Sequence, residues 1–175
     1  MTEILKGAKD RKIIVAIDEG EESMYALSWA LKNVVTSENS KDTIFLLYVK
    51  PPPVIFTTLN ETGYIYSSDV VATMEKYRTD VAVCLMDKAK RICKGLKNDV
   101  KVETKVGNGD PRDVICEMVE KIGADVLVLG THGYGLLKRT FLGSVSDYCA
   151  HKVKCPVLIV KRLISLEDEN KALVL

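Results

Sequence analysis

The chain has 175 residues, 47% of them apolar and 28% charged, with 25 basic against 24 acidic side chains for a formal charge of +1. That length carries one domain with a sizeable core and is short for two, and the charge balance offers no electrostatic grip on nucleic acid or an anionic membrane. No apolar run reaches the length of a membrane span, and the charged stretch from Met1 to Asp10 lacks the apolar core of a secretory signal. The expectation is a single domain over 1–175, soluble and cytoplasmic.

In chain order, Arg11-Lys12 leads into Ile13-Ile14-Val15-Ala16-Ile17, a continuous apolar run that ends at Asp18-Glu19-Gly20. Such a run predicts a strand buried on both faces, as in a parallel sheet. Met24, Leu27, Leu31 and Val34/Val35 then recur at helical spacing and predict a helix from Glu21 to Thr36. Thr43–Val49 is the second strand, stopped by Lys50-Pro51-Pro52-Pro53 because proline cannot continue a ladder. The irregular stretch 50–68 is a long connection, read equally as a functional lid or a surface loop.

Apolar residues from Val70 to Leu96 repeat at helical spacing, which predicts a second helix over Asp69–Lys97, with Gly95 as a stop signal. Val100, Val102, Thr104 and Val106 alternate with Lys101, Glu103 and Lys105, the pattern of a half-exposed strand at or near a sheet edge. Asp110 then reads as a helix N-cap, Pro111 as the first helical residue and Gly123 as the terminator. Asp125–Leu129 is the fourth strand and Val157–Val160, opened by Pro156, the fifth; the tail 162–175 is mixed in character. Strands alternating with helices in this way imply a parallel sheet with right-handed crossovers and helices on both faces.

Five cysteines (Cys84, Cys93, Cys116, Cys149, Cys155) are an odd number and contain no Cys-x-x-Cys pair. Most of them read as buried small hydrophobes in a reducing compartment, in preference to a redox switch.

Between the fourth strand and a short amphipathic segment lies Gly130-Thr131-His132-Gly133-Tyr134-Gly135, with nine residues intervening between Gly133 and Gly143-Ser144. Gly130 and Gly133 permit backbone to approach a ligand closely. Gly143-Ser144 sits where a helix N-cap belongs, with Asp147 three residues after Ser144 to complete a capping arrangement. The N–H groups and dipole of that helix start make an anion site, phosphate above all.

The spacing Gly-x2-Gly-x9-Gly-Ser, continued by Val145-Ser146-Asp147-Tyr148 and Cys155-Pro156-Val157-Leu158-Ile159-Val160, resembles the nucleotide-binding loop of the universal stress protein family in its ATP-binding branch. The likeness covers roughly 10–161 and is nearest in wording to single-domain plant members. It implies an α/β fold, a Rossmann-like open five-stranded parallel sheet of order 3-2-1-4-5. It also implies that Ala16, Ile17 and Asp18 border an adenosine and that the main chain of Val49 meets the adenine edge. On the same resemblance Gly130, Thr131, His132 and Gly133 line the ribose and first phosphate, and Gly143, Ser144, Val145 and Ser146 hold the outer phosphates. The ligand would be ATP or AMP. A divalent ion, Mg2+ or Mn2+, stays open, with Asp18 as an indirect candidate for it. Dimerisation through the last strand, Val157-Leu158-Ile159-Val160, is a further implication.

Each position has a plainer reading. Asp18 could cap the next helix instead of, or as well as, meeting a ligand. His132 has no visible partner that would make it a base, and His151 is placed to meet helix-end carbonyls. Lys138, Arg139, Tyr64 and Tyr66 could equally face solvent. A Gly-x4-Gly-Lys-Ser/Thr loop, a complete dinucleotide fingerprint and a His-Glu-x-x-His motif are all missing from the sequence. A phosphate cradle is therefore legible but no catalytic set for phosphoryl transfer. The reading is a nucleotide-holding regulatory protein. A slow metal-dependent ATPase is the alternative, or a dimeric module with a vestigial pocket, against which the intact glycines argue.

Overall fold

The computed structural model describes residues 10–35, 41–52, 68–131 and 143–162. Strands and helices alternate through them: β1 (Lys12–Ile17), α1 (Glu21–Asn33), β2 (Thr43–Lys50), α2 (Ser68–Leu96), β3 (Lys101–Asn108), α3 (Pro111–Ile122), β4 (Val126–Gly130), α4 (Ser144–Lys152) and β5 (Val157–Val160). Every pairing is parallel and the sheet runs β3-β2-β1-β4-β5. That is the order implied by the family resemblance. The stretches 53–67 and 132–142 and the tail beyond 162 lie outside the described residues, and with them the readings made for the long connection and the tail.

Alternation along the strands divides the core in two. Ile13, Val15, Ile17, Ile44, Leu46, Tyr48 and Val128 face α1 and α2, meeting Met24, Leu27, Leu31, Ala82, Met86 and Cys93. Ile14, Phe45, Leu47, Val49, Leu127 and Leu129 face the other way, onto Ile115 and Val119 of α3 and Cys149 of α4. β1 and β2 are apolar on both faces because both faces are covered by helices. β3, at the sheet edge, keeps its charges outward, where Lys101 and Lys105 flank Glu103 at 2.9 and 3.7 Å. No helix of the described residues is long and apolar enough to cross a membrane.

Local signals fixed α3 closely. Asp110 accepts the Arg112 N–H at 2.9 Å, Pro111 opens the helix, and Gly123 closes it at φ 67°, donating to the Val119 and Glu120 carbonyls. The Arg112 guanidinium beside Asp110 also holds that carboxyl down at about 2. α1 is shorter than the periodicity suggests, ending at Asn33 with Val34 as its C-cap rather than running to Thr36. Of the cysteines, Cys93 and Cys149 are buried and Cys116 and Cys155 half-buried, but Cys84 is exposed on the outer side of α2, against the buried reading.

The early end of α1 has a cause in the cations ahead of β1. Arg11 sends Nη2 to the Val34 carbonyl at 2.9 Å, and grips buried Asp42 through Nε at 3.0 Å and Nη2 at 2.6 Å. Lys12 does the same service on the other side: its Nζ meets the Ile122 carbonyl at 2.8 Å and its N–H the Asp125 carboxylate at 2.9 Å. Two neighbouring cations thus satisfy the terminal carbonyls of α1 and α3 and align the starts of β1, β2 and β4.

The two staples differ in burial, so their removal should differ in cost. The Asp42 side chain is 1% exposed and that of Arg11 34%. Arg11→Met strands a buried carboxylate, and even after discounting for the partly exposed guanidinium it is expected to cost about 2–3 kcal/mol. Lys12→Met loses one exposed bond to a helix end and should cost about 0.5 kcal/mol. Urea unfolding of the two variants checks both values; equal losses would contradict the burial argument.

Candidate functional site

At the carboxyl end of the sheet a cavity of about 700 Å³ opens where the strand order turns back on itself, between β1 and β4. A parallel sheet leaves a crevice at such a point, because successive crossovers depart to opposite faces. Its walls are Ala16, Ile17 and Asp18 at the end of β1, Leu47, Tyr48 and Val49 of β2, and Leu129 and Gly130 of β4. Pro111 and Ile115 of α3 close one side, and Gly143, Ser144, Val145 and Ser146 at the start of α4 another.

The β1–α1 turn is built by hydrogen bonds from Asp18 and Ser23. The Asp18 carboxylate accepts the Gly20 N–H at 2.9 Å. Ser23 Oγ takes the Asp18 N–H at 3.1 Å and reaches the carbonyls of Asp18 and Gly20 at 3.1 and 3.0 Å. The N-cap of α1 is Gly20 and no side chain caps it. The capping reading of Asp18 is therefore corrected: its carboxylate folds the turn ahead of the helix, in an Asx-type bond.

Gly130 serves packing as well as any ligand. A Cβ built there would lie 2.7 Å from the Glu22 carbonyl carbon and oxygen and 2.9 Å from Ser23 N. The end of β4 rests on the backbone of α1, and only glycine permits that approach. Thr131 extends the ladder by donating its N–H to the Val160 carbonyl at 3.1 Å and is not among the cavity-lining residues.

The start of α4 also departs from the sequence reading. Gly143, extended at φ −60° and ψ 149°, is the N-cap, and Ser144 is the first helical residue. The Ser144–Asp147 capping arrangement does not form. Asp147 instead uses its main-chain N–H, donated to the Gly143 carbonyl at 2.9 Å, while buried Ser146 sends its hydroxyl to the same carbonyl at 2.9 Å. Because the helix starts one residue after Gly143, Ser144 falls inside its first turn and its hydroxyl is no longer at the N-cap position. The first turn of α4 lines the cavity, and its leading N–H groups have no acceptor within the helix.

On β2, the Thr43 N–H donates to the Arg11 carbonyl, so odd-numbered residues turn their main chain towards β1. The β1 pairing ends at the Ile17–Tyr48 rung, while β2 continues to Lys50. The Val49 main chain is thus directed to the side where β1 has run out, beside the cavity. Tyr48 escaped the sequence reading. Its hydroxyl donates to Glu19 Oε1 at 3.1 Å, and burial, then that bond, pushes its pKa up to about 12, so it remains a donor at neutral pH. Leu47, Pro111, Ile115 and Leu129 were missed too, because only the packed sheet brings them together. His132, Gly133, Lys138, Arg139, Tyr64 and Tyr66 lie outside the described residues. His151 is in the last turn of α4, exposed, with Nδ1 2.8 Å from the Asp147 carbonyl, and does not line the cavity.

This geometry has counterparts. Residues 10–161 match the model of the universal stress protein family. The chain belongs to that family. It is 29% identical over 170 residues to universal stress protein A-like protein of Arabidopsis thaliana, covering 89% of this chain and 93% of that one. It is 32% identical over 162 residues to Arabidopsis universal stress protein PHOS32, covering 86% of this chain but only 64% of that longer relative. Among solved structures, an Arabidopsis universal stress protein family member with AMP bound superposes with a TM-score of 0.63 at 26% identity, over 87% of this chain and 92% of the other. The described residues carry the universal stress protein fold, and several solved members share it at lower identity.

Gly130 gives a direct test of how this universal stress protein holds its crevice open. Gly130→Ala drives a methyl into the first turn of α1 and should cost about 1–3 kcal/mol. Gly95→Ala, whose Cβ would meet nothing within 4 Å, should be neutral or slightly stabilising. Thermal unfolding of the pair reads the difference.

Proposed function

We propose that this protein holds an adenine nucleotide, ATP or AMP, in the cavity and acts as a stress-response regulatory switch. One observation carries the reading. The cavity joins an apolar slot, formed by Ala16, Leu47, Val49, Ile115 and Leu129, to the N-terminal turn of α4 at Gly143, Ser144, Val145 and Ser146. A flat aromatic base suits the slot, and a phosphate suits the first-turn N–H groups of α4. The AMP bound to the Arabidopsis family member supports the same choice of ligand. On the sequence motif, the 132–133 stretch would complete the ribose and first-phosphate contacts. Bound nucleotide would favour the conformation that it contacts best, and partners would read that conformation.

Asp18 does not make a metal site alone. Its carboxylate is engaged with the Gly20 N–H, and among the described residues no group of three or more His, Cys, Asp or Glu converges on a point. An accompanying Mg2+ or Mn2+ would be held chiefly by the nucleotide's own phosphates. Retention of ligand without turnover is the reading preferred over slow ATP hydrolysis because the sequence offers a phosphate cradle and no catalytic set for phosphoryl transfer.

Calorimetric titration with ATP, AMP and adenosine tests the pocket. Ser144 is exposed in the first helical turn, so Ser144→Asp complements the helix dipole and should leave stability unchanged or slightly raised. The same carboxylate repels a phosphate, so ATP and AMP should bind at least about tenfold more weakly, about 1.4 kcal/mol, while adenosine binding is retained. Equal losses for adenosine would move the phosphate elsewhere, and sustained phosphate release from ATP by the parent protein would favour the enzyme reading.

The family resemblance also supports a homodimer through β5. The two sheet edges differ in kind: β3 carries Lys101, Glu103 and Lys105, which discourage pairing, whereas β5 reads Val157-Leu158-Ile159-Val160. The Pro156 and Val160 carbonyls accept from Leu127 of β4 and from Thr131 just after it, so Val157 and Ile159 turn their main-chain groups to the outer side. Ile159→Pro removes an outward N–H and spares the inner ladder. Light scattering should then find a dimer for the parent chain and a monomer for the variant; a monomeric parent would end the dimer proposal.

A further inference from the structure

α3 and α4 lie together on one face of the sheet, and both begin at the cavity wall. Tyr148 of α4 donates its hydroxyl to Asp113 of α3 at 3.2 Å, and the Arg112 guanidinium sits 5.8 Å from the Tyr148 ring centroid. Behind these surface contacts the two helices share a second, unusual one: the Sγ atoms of Cys116 and Cys149 are 4.0 Å apart. Cys149 is wholly buried and Cys116 is half-buried. Cys116 directly follows Ile115, a cavity-wall residue, and Cys149 lies one helical turn beyond Val145, another. A disulfide brings its sulfurs to about 2.05 Å, so forming one here needs about 2 Å of approach, shared between side-chain rotation and closure of the helices.

We propose that Cys116 and Cys149 form a reversible intramolecular disulfide on exposure to hydrogen peroxide, and that this bond weakens nucleotide binding in the cavity. The second half rests on the nucleotide reading given above. Cys116, the more accessible sulfur, attacks one peroxide oxygen as its thiolate. The O–O bond breaks, Cys116 becomes a sulfenic acid, and the departing hydroxide takes up the thiol proton as water. The Cys149 sulfur then attacks the Cys116 sulfur, the S–O bond breaks, and hydroxide leaves with the Cys149 proton as a second water. Two thiols lose two electrons to give one disulfide, and one peroxide is reduced to two waters.

The surroundings set the order and the pace. Burial pushes both thiols up, Cys149 to about 12, whereas contact with Cys149 and with Lys152 eases ionisation of Cys116 against Asp113 and Glu120. Cys116 therefore reacts first, and slowly beside an activated thiolate. The consequence for the cavity is mechanical. A close-packed interface relocates in discrete steps, and α4, only nine residues long, is the smaller element to move. Its first turn then leaves the position that meets the phosphate.

The test uses the full chain carrying Cys84→Ser, which removes the exposed thiol. Excess hydrogen peroxide is added, remaining thiols are alkylated, and peptides are mapped by mass; AMP is titrated before oxidation, after it, and after dithiothreitol. The expected result is a peptide pair joined through Cys116 and Cys149, with AMP affinity lowered about tenfold and restored by the reductant. The same protein with Cys116→Ser should show neither change. Cys116 and Cys149 recovered alkylated or over-oxidised without the cross-link would overturn the proposal, and a cross-link that leaves AMP affinity unaltered would overturn the coupling. If the reduced protein binds no AMP, the nucleotide reading fails and the coupling with it, while the cross-link is still decided by mass.

Discussion

Where β4 ends, its backbone lies against the backbone of α1 with no side chain between them. That contact, between Gly130 and the Glu22–Ser23 peptide, sets how close the first helix stands to the middle of the sheet. The Asp18–Ser23 turn is folded tightly enough to deliver α1 to that spot. With α1 held on one face and α3 and α4 on the other, the space above β1 and β4 has walls but no occupant from the core. A larger residue at 130 would push the helix away and widen the crevice into a surface groove.

Much of this was legible in the sequence, for reasons that can be named. Runs such as Ile13–Ile17 and Ile44–Val49 are apolar on successive residues, short and rich in β-branched or aromatic side chains, as suits a strand covered on both faces. Asp110, Pro111 and Gly123 each have one comfortable place in a helix, and each takes it. The Lys101–Val106 alternation marked an edge because charges at every second position cannot be buried under helices. The strand order came from resemblance, since periodicity says nothing about which strands are neighbours.

What stayed hidden depended on residues far apart in the chain. Arg11 and Lys12 carried no signal beyond two cations ahead of a strand, because their partners lie up to 113 positions away. Tyr48, Pro111 and Ile115 carry no motif, and they reach the cavity only because β2 and α3 pack there. At the start of α4 the sequence offered both glycine and serine as the cap, and local chemistry alone could not choose. The Cys116–Cys149 approach was equally invisible, because it joins two helices separated by the whole of β4 and the glycine-rich stretch.

The staples of Arg11 and Lys12 have a consequence for motion. They gather charged groups, helix carbonyls and three strand starts at the amino end of the sheet, while the carboxyl end surrounds an open space. Cohesion is therefore lopsided along the strand direction. Local opening should begin at the crevice and stop before the cationic end, leaving amide protons near Ile13 and Ile44 the slowest to exchange with solvent. A small molecule seated in the crevice would add its contacts where the native state is thinnest, and so would disfavour the opening of α1, α3 and α4 together, although it touches only their first two turns.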